Sequence, residues 1–265
     1  MKGGTVSGLR ILIGAGCFVD AAAALRIVER LPSRFRANLG GVLVDEVTAL
    51  ATCKIPNQRI VMLGGTTTMP PSPEQARTLL RADARAFRNA LARAAELIGT
   101  DWVFAQGRGE LVGTAMRAAT GWDVLVIGYR PVNKVPGKIV VLQPHLHVSD
   151  MLNEASAQLS QQLSADRVVF SVGGDATRFK AAQSMDTVQF ETLDTALTEL
   201  TRTNAQAVLV DMTQGPVQDL SELARVLEVA RCPLLVFGLS SLNATLEHST
   251  QIPPVPDRAG RDGQS

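Results

Sequence analysis

The chain has 265 residues, 46% of them hydrophobic, with 26 Lys and Arg against 25 Asp and Glu; that length accommodates one large or two small domains with a substantial core. No run approaches the ~18 uninterrupted apolar residues of a membrane span, and the opening Met1-Lys2-Gly3-Gly4 lacks a secretory apolar stretch, so a cytoplasmic protein with no membrane partner is expected. The near-zero total hides an asymmetry: residues 1–140 carry 14 Arg and 4 Lys against 10 acids, while residues 141–265 carry 8 basic against 15 acidic side chains. Opposite signs of that size favour docking of one half on the other, within or between chains, and weigh against a protein that coats nucleic acid.

Residues 11–15 form a short apolar run ending in Gly16-Cys17, after which Asp20 opens a segment with Ala24, Leu25, Val28 and Leu31 at helical spacing. This predicts a strand, a turn and a capped helix. Residues 40–44 predict a second buried strand ending at Asp45-Glu46. From there to Pro73 the chain is irregular and rich in Gly, Thr and Pro, which predicts a long loop or lid. Ser72-Pro73-Glu74-Gln75 is a capping box with proline at the first helical position. It launches a helix to about Ile98, stopped by Gly99, with a core stripe of Leu80, Ala84, Phe87, Leu91, Ala94 and Ile98. A strand over 102–105, a helix over 110–119 and a strand over 123–127 complete an alternation that builds a parallel sheet with helices on both faces.

After a turn at 131–137 the pattern restarts. Strands are predicted over 138–142, 167–171, 188–190, 207–210 and 233–237, and helices over 149–163, 193–202 and 217–230. The repeat is one of architecture, without close identity between the halves. From Ser240 onward, Pro253, Pro254 and Pro256 with a Gly, Arg, Asp and Gln-rich end predict a disordered tail.

The segment Arg10-Ile-Leu-Ile-Gly-Ala15, the helix containing Ala24-Leu-Arg-Ile-Val-Glu-Arg-Leu31, and Gly41-Val-Leu-Val-Asp-Glu46 together resemble the opening of universal stress protein domains. Trp122-Asp-Val-Leu-Val-Ile-Gly128 resembles the family's fourth strand with its glycine, and Ala230-Arg-Cys-Pro-Leu-Leu-Val236 its last strand. The match spans residues 8–238 as a tandem pair. The resemblance implies open α/β domains that pair with a second copy and, in one branch, bind ATP. In that branch an aspartate follows the first strand, and a glycine-rich loop after the fourth wraps the phosphates with backbone N–H groups.

Both halves depart from the ATP-binding pattern. Gly16 stands where the aspartate belongs and Phe18 where a small Ser or Thr belongs; after Gly128 the next expected glycine is Pro131, which lacks an N–H. In the second half the first strand ends in Gln143-Pro144 and the fourth in Asp211-Met212-Thr213, and only Ser221 offers a hydroxyl of the final pair. Each lost charge-assisted contact removes ~1.5–3 kcal/mol, so a tight ATP site is not expected. Adenosine, AMP or another ligand in a remodelled cleft stays open, with Gly14, Gly16, Val44, Asp45 and Gly128 as the candidate ligand-binding residues.

Other chemistry is weaker. Gly14-Ala-Gly16 invites a dinucleotide fingerprint, but Val19 occupies the third glycine's place and Asp45 follows Gly16 by 29 residues, beyond the ~20 expected. Cys17 opens a helix, where a thiol can be activated, yet no base or resolving cysteine accompanies it. Cys17, Cys53 and Cys232 are too widely spaced for a zinc cluster, and their odd number argues against a disulfide framework. His145 and His147 could offer two imidazoles to a metal, short of the usual three or four ligands. Arg77, Arg81, Arg85 and Arg88 fall on one face of the long helix with few acids at i±4. They form the expected partner surface, for the acidic second half, a protein or a phosphate-bearing ligand. With one Tyr and two Trp in the chain, aromatic platforms for nucleic acid are lacking. No coherent catalytic set stands out.

The expectation is therefore an α/β protein of two tandem open parallel-sheet domains, Rossmann-like and of universal stress protein type. Residues 8–136 form the first, residues 137–239 a degenerate second, and residues 240–265 a disordered tail. It is expected to act as a non-enzymatic binding or regulatory module in stress response, as an internal pseudo-dimer or a homodimer with a protein partner, without a cofactor. The alternative is a nucleotide-binding protein or enzyme using the crevice at the carboxyl ends of the first and fourth strands.

Overall fold

The computed structural model describes residues 8–31, 37–46, 60–61, 67–68, 72–130, 135–144, 149–173 and 187–239. The expected tail, Cys53, His145, His147 and Pro131 lie outside the described residues. Of the long loop before Ser72, two short strands are described, Ile60–Val61 (β3) and Thr67–Thr68 (β4), paired antiparallel.

The first half runs Arg10–Ala15 (β1), Phe18–Val28 (α1), Asn38–Glu46 (β2), Pro73–Ile98 (α2), Asp101–Gly109 (β5), Leu111–Ala118 (α3) and Val124–Ile127 (β6). Helix α1 begins two residues before Asp20, with Cys17 as its N-cap. Asp20 does not cap the helix, because its carboxylate is used across the turn: Oδ2 accepts from Cys17 Sγ at 3.1 Å and Oδ1 accepts the Arg130 N–H at 2.8 Å. Helix α2 carries its capping box as read, with Ser72 Oγ accepting from Gln75 N at 3.2 Å and Gln75 Oε1 accepting from Ser72 N at 2.8 Å. Gly99, at φ 73°, ends it in the left-handed conformation that glycine adopts without strain.

The second half runs Lys138–Pro144 (β7), Asp150–Leu163 (α4), Arg167–Val172 (β8), Thr187–Phe190 (β9), Leu193–Arg202 (α5), Ala205–Asp211 (β10), Leu220–Ala230 (α6) and Leu234–Phe237 (β11). The main strands form one nine-stranded sheet in the order β5-β2-β1-β6-β11-β10-β7-β8-β9. Neighbours are parallel except at the centre, where β6 and β11 pair antiparallel with Leu234 opposite Ile127 and Phe237 opposite Val124. The first half thus supplies four strands to this sheet, and its β6 is completed by the last strand of the second half.

Alternation within the strands makes two cores. On one face Ile11, Ile13, Leu39, Val124, Val126, Val141 and Leu209 meet α1, α2 and α4; on the other Leu12, Val42, Leu125, Ile127, Val140 and Val210 meet α3, α5 and α6. Phe87 and Leu91 of α2 are completely buried, and truncating such a residue to Ala typically costs about 2–5 kcal/mol. Among the described residues no helix is long and apolar enough to cross a membrane.

Candidate functional site

A cleft of about 590 Å³ opens at the carboxyl ends of β1 and β2, the edge where open α/β sheets hold ligands. The turn after β1 contributes Gly16, Cys17 and Asp20; the end of β2 contributes Asp45 and Glu46. The start of α3 brings Glu110, Leu111 and Val112, and Tyr129 follows β6. Helix α2 forms one wall with Leu79, Leu80 and Asp83, and α6 the opposite wall with Ala224, Leu227 and Glu228.

Six of these side chains are carboxylates, and no Lys or Arg lines the cleft among the described residues. Glu110 is committed locally: as N-cap of α3 its oxygens accept from Val112 N at 2.9 Å and Gly113 N at 2.7 Å, which suits the positive end of a helix. Glu46 has no such full compensation. Burial, then the neighbouring carboxylates of Glu110 and Asp20, hold its carboxyl above the ordinary glutamate value, against a bond from the Leu111 N–H that acts to lower it. Asp45 Oδ1 is buried with no hydrogen-bond partner. The cleft is therefore a strongly anionic hollow with an apolar lining.

The five candidate ligand-binding residues divide. Gly16 and Asp45 line the cleft. Val44 is fully buried, in the same core as Val112 and Ala115. Gly14 is a packing glycine, since a Cβ there would stand 2.7 Å from Ala115 Cβ and lift α3 off β1. A Cβ at Gly128 would stand 2.4 Å from the Asp20 carbonyl oxygen, so this glycine lets β6 pass against the first turn of α1.

Sequence reasoning missed Asp20 as a cleft residue, together with Asp83, Glu110, Tyr129 and Glu228. A signal existed for Glu110, an acid directly before a helical run; Asp83 and Glu228 come from elements distant in sequence and carry none. Cys17 is half-buried, and burial with the Asp20 carboxylate beside it pushes its thiol up, away from an activated thiolate. Cys232, deep in the core, is pushed up to about 12 by burial. Among the described residues no three His, Cys, Asp or Glu side chains are grouped so as to hold a metal ion.

The arginine stripe is where the spacing placed it. Arg77, Arg81, Arg85 and Arg88 are exposed along α2, Arg85 Nε donates to the Arg81 carbonyl at 3.3 Å, and the Arg88 guanidinium lies 5.9 Å from the centroid of the Trp102 ring. Within the chain, none of the four forms an ion pair with the second half among the described residues. The acidic cleft and the basic stripe belong to different faces of one helix.

No protein-family model and no curated protein matches the chain. Among solved structures, a protein from Pseudomonas aeruginosa UCBPP-PA14 described as a universal stress protein is similar over 92% of this chain and 100% of its own, with 10% identity and a TM-score of 0.50. A functionally unknown protein from Pseudomonas aeruginosa PAO1 matches over 92% of this chain and 99% of its own at 9% identity and a TM-score of 0.49. A universal stress protein from Archaeoglobus fulgidus DSM 4304 matches over 86% of this chain and 95% of its own at 10% identity and a TM-score of 0.44. At such identities the likeness is one of fold.

Proposed function

We propose that this chain, which has the fold of the universal stress proteins, is a cytoplasmic binding and regulatory module of the stress-response type that does not hold a nucleoside triphosphate. In this reading two units, residues 8–136 and 137–239, are fused through the antiparallel β6–β11 pairing as an internal pseudo-dimer. The observation that carries the proposal is the charge of the crevice. Six carboxylates line the hollow where a phosphate cradle would stand. Like charges at close range oppose a triphosphate, and the low-dielectric walls strengthen that opposition. The arginine stripe on α2 serves as the partner surface.

Isothermal titration with ATP, AMP and cyclic AMP, with and without magnesium, tests this. No saturable binding is expected at millimolar nucleotide. A micromolar dissociation constant for ATP that is lost in Gly16→Trp, a variant that fills the cleft, overturns the proposal.

A second reading is an enzyme that uses the same cleft. Glu46 favours it, as a half-buried carboxyl held above its ordinary value inside a cavity, which is where acid–base residues are found. Mass spectrometry of the protein as purified separates the two. A co-purifying nucleotide or flavin favours the enzyme; a ligand-free protein that captures one specific protein partner favours the module.

A further inference from the structure

A second cavity, of about 640 Å³, shares no lining residue with the acidic cleft and lies between α1, the end of α4 and the amino ends of β7, β10 and β11. Its volume falls within the ~300–1,000 Å³ of small-molecule sites. Its charge is opposite to that of the cleft. Arg26, Arg30 and Arg231 line it against one acid, Glu29, which is engaged in an interaction of its own. None of the three arginines has an ion-pair partner among the described residues. Arg26 and Arg30 stand four residues apart, on one side of the end of α1. Arg231 caps α6 at φ 50°, a left-handed position where glycine is the usual residue. Ile27, Leu163 and Pro233 give the lining apolar surface, beside the polar Thr201, Thr203 and Asn204.

One further residue points to a ligand. Gln206 lines the cavity, and its Oε1 is buried without a hydrogen-bond partner. It sits where the β7–β10 register is broken: Ala205 pairs with Lys138 and Ala207 with Ile139, leaving Gln206 as the extra residue of a bulge. Bulges redirect side chains and are frequent beside binding sites. The ends of α1 and α6 account for part of the positive charge, since cations suit helix carboxyl ends. They account for neither the apolar residues of the lining nor the orphaned acceptor.

We propose that this cavity binds a small anionic amphiphile. Its acidic headgroup lies at Arg26, Arg30 and Arg231, its apolar body rests on Ile27, Leu163 and Pro233, and a hydroxyl or amide N–H donates to Gln206 Oε1. Guanidinium groups recognise carboxylate and phosphate alike by charge-assisted hydrogen bonds, so the shared chemistry is an acidic group on an apolar frame.

The test uses the full chain and the probe anilinonaphthalene sulfonate, which combines an anion, aromatic rings and an N–H donor. Titration followed by fluorescence is expected to show saturable binding of one probe per chain well below the melting temperature. The double variant Arg26→Ala, Arg231→Ala is expected to weaken it by about tenfold or more, as is Arg30→Glu. Gln206→Leu weakens it by a smaller factor, and Asp45→Asn, in the other cleft, leaves it unchanged. Laurate and dodecyl phosphate compete and dodecanol does not; the stronger of the two acids identifies the headgroup. Absence of saturable binding to the folded chain overturns the proposal. So does undiminished binding in both arginine variants while far-ultraviolet circular dichroism stays native, or displacement by dodecanol as effective as by laurate. The nucleotide titrations read the other cleft, so either result stands without the other.

Discussion

Gly128 is where a phosphate-binding glycine and a packing glycine make opposite predictions. A Cβ there would stand 2.4 Å from the Asp20 carbonyl oxygen, 2.7 Å from its carbon and 3.2 Å from Ala21 N. These are backbone atoms, and comfortable contact lies at ~3.5 Å or beyond, so Gly128→Ala requires strand and helix to part by about 1 Å. Neither can move freely. Gly128 N donates to the Gly14 carbonyl at 2.7 Å, Asp20 Oδ1 holds Arg130 N, and α1 is anchored by buried Ala21, Ala24, Leu25 and Val28. Overpacking costs ~1–3 kcal/mol in cores that can relax; against fixed backbone we expect about 3 kcal/mol, which for a chain of this size lowers Tm by roughly 6–12 °C. Gly16→Ala is the control, because a Cβ there meets nothing within 4 Å and its effect should stay within about 0.5 kcal/mol. Thermal melts followed by circular dichroism measure both. Equal stability of Gly128→Ala and wild type would refute the packing argument, as would equal damage from the two substitutions.

Other outcomes follow from charge, burial and connectivity. Because the Glu46 carboxyl is held above its ordinary value of 4.5, the native state binds that proton more tightly than the unfolded chain, and this group takes away stability as pH rises from 4.5 through the raised value; Glu46→Gln should raise Tm at pH 7, with the gain vanishing in melts below pH 4.5. Asp123 has the opposite sign: although burial acts to raise it, the Arg10 side chain and backbone N–H hold it below its ordinary 3.8, so Asp123→Asn should lower Tm at pH 7 and the deficit should close as melts are taken below pH 3.8. Under iodoacetamide at pH 7.5, peptide mass spectrometry should find Cys232 unlabelled in the folded protein and labelled in urea, with Cys17 modified slowly; rapid Cys17 alkylation would contradict its environment. Residues 1–136 expressed alone should self-associate or precipitate on gel filtration, because β6 is wholly buried and loses its partner β11; a stable monomer would contradict the borrowed strand.

Much of this was legible from local chemistry. The capping box and Gly99 set the limits of α2, and apolar runs located every main strand. Ends were missed where tertiary structure decides. The run Gln106-Gly-Arg-Gly109 has no strand-forming pattern, yet β5 continues through it because its register with β2 holds to Glu46 opposite Gly109, and an edge strand has little need to bury its side chains. The direction of the pairing at the centre of the sheet was not legible. Val124–Ile127 and Leu234–Phe237 are short and apolar on both faces, so composition gives no direction to the pairing. The acidic cleft was hidden for a related reason: its carboxylates come from β2, α1, α2, α3 and α6, and no single stretch holds enough of them to form a motif.

The direction of that central pairing also shapes both cavities. With β11 antiparallel to β6, Leu234 begins opposite Ile127, where β6 ends. The helix that leads into β11 must therefore finish at the carboxyl edge of the first half. That brings Ala224, Leu227 and Glu228 of α6 into the wall of the acidic cleft, while Val229, Ala230 and Arg231, the next residues, line the arginine cavity. Within one turn the chain passes from a carboxylate facing one hollow to a guanidinium facing the other. The end of a single helix, packed into the core by Leu223, Val226 and Leu227, thus contributes to the lining of both hollows.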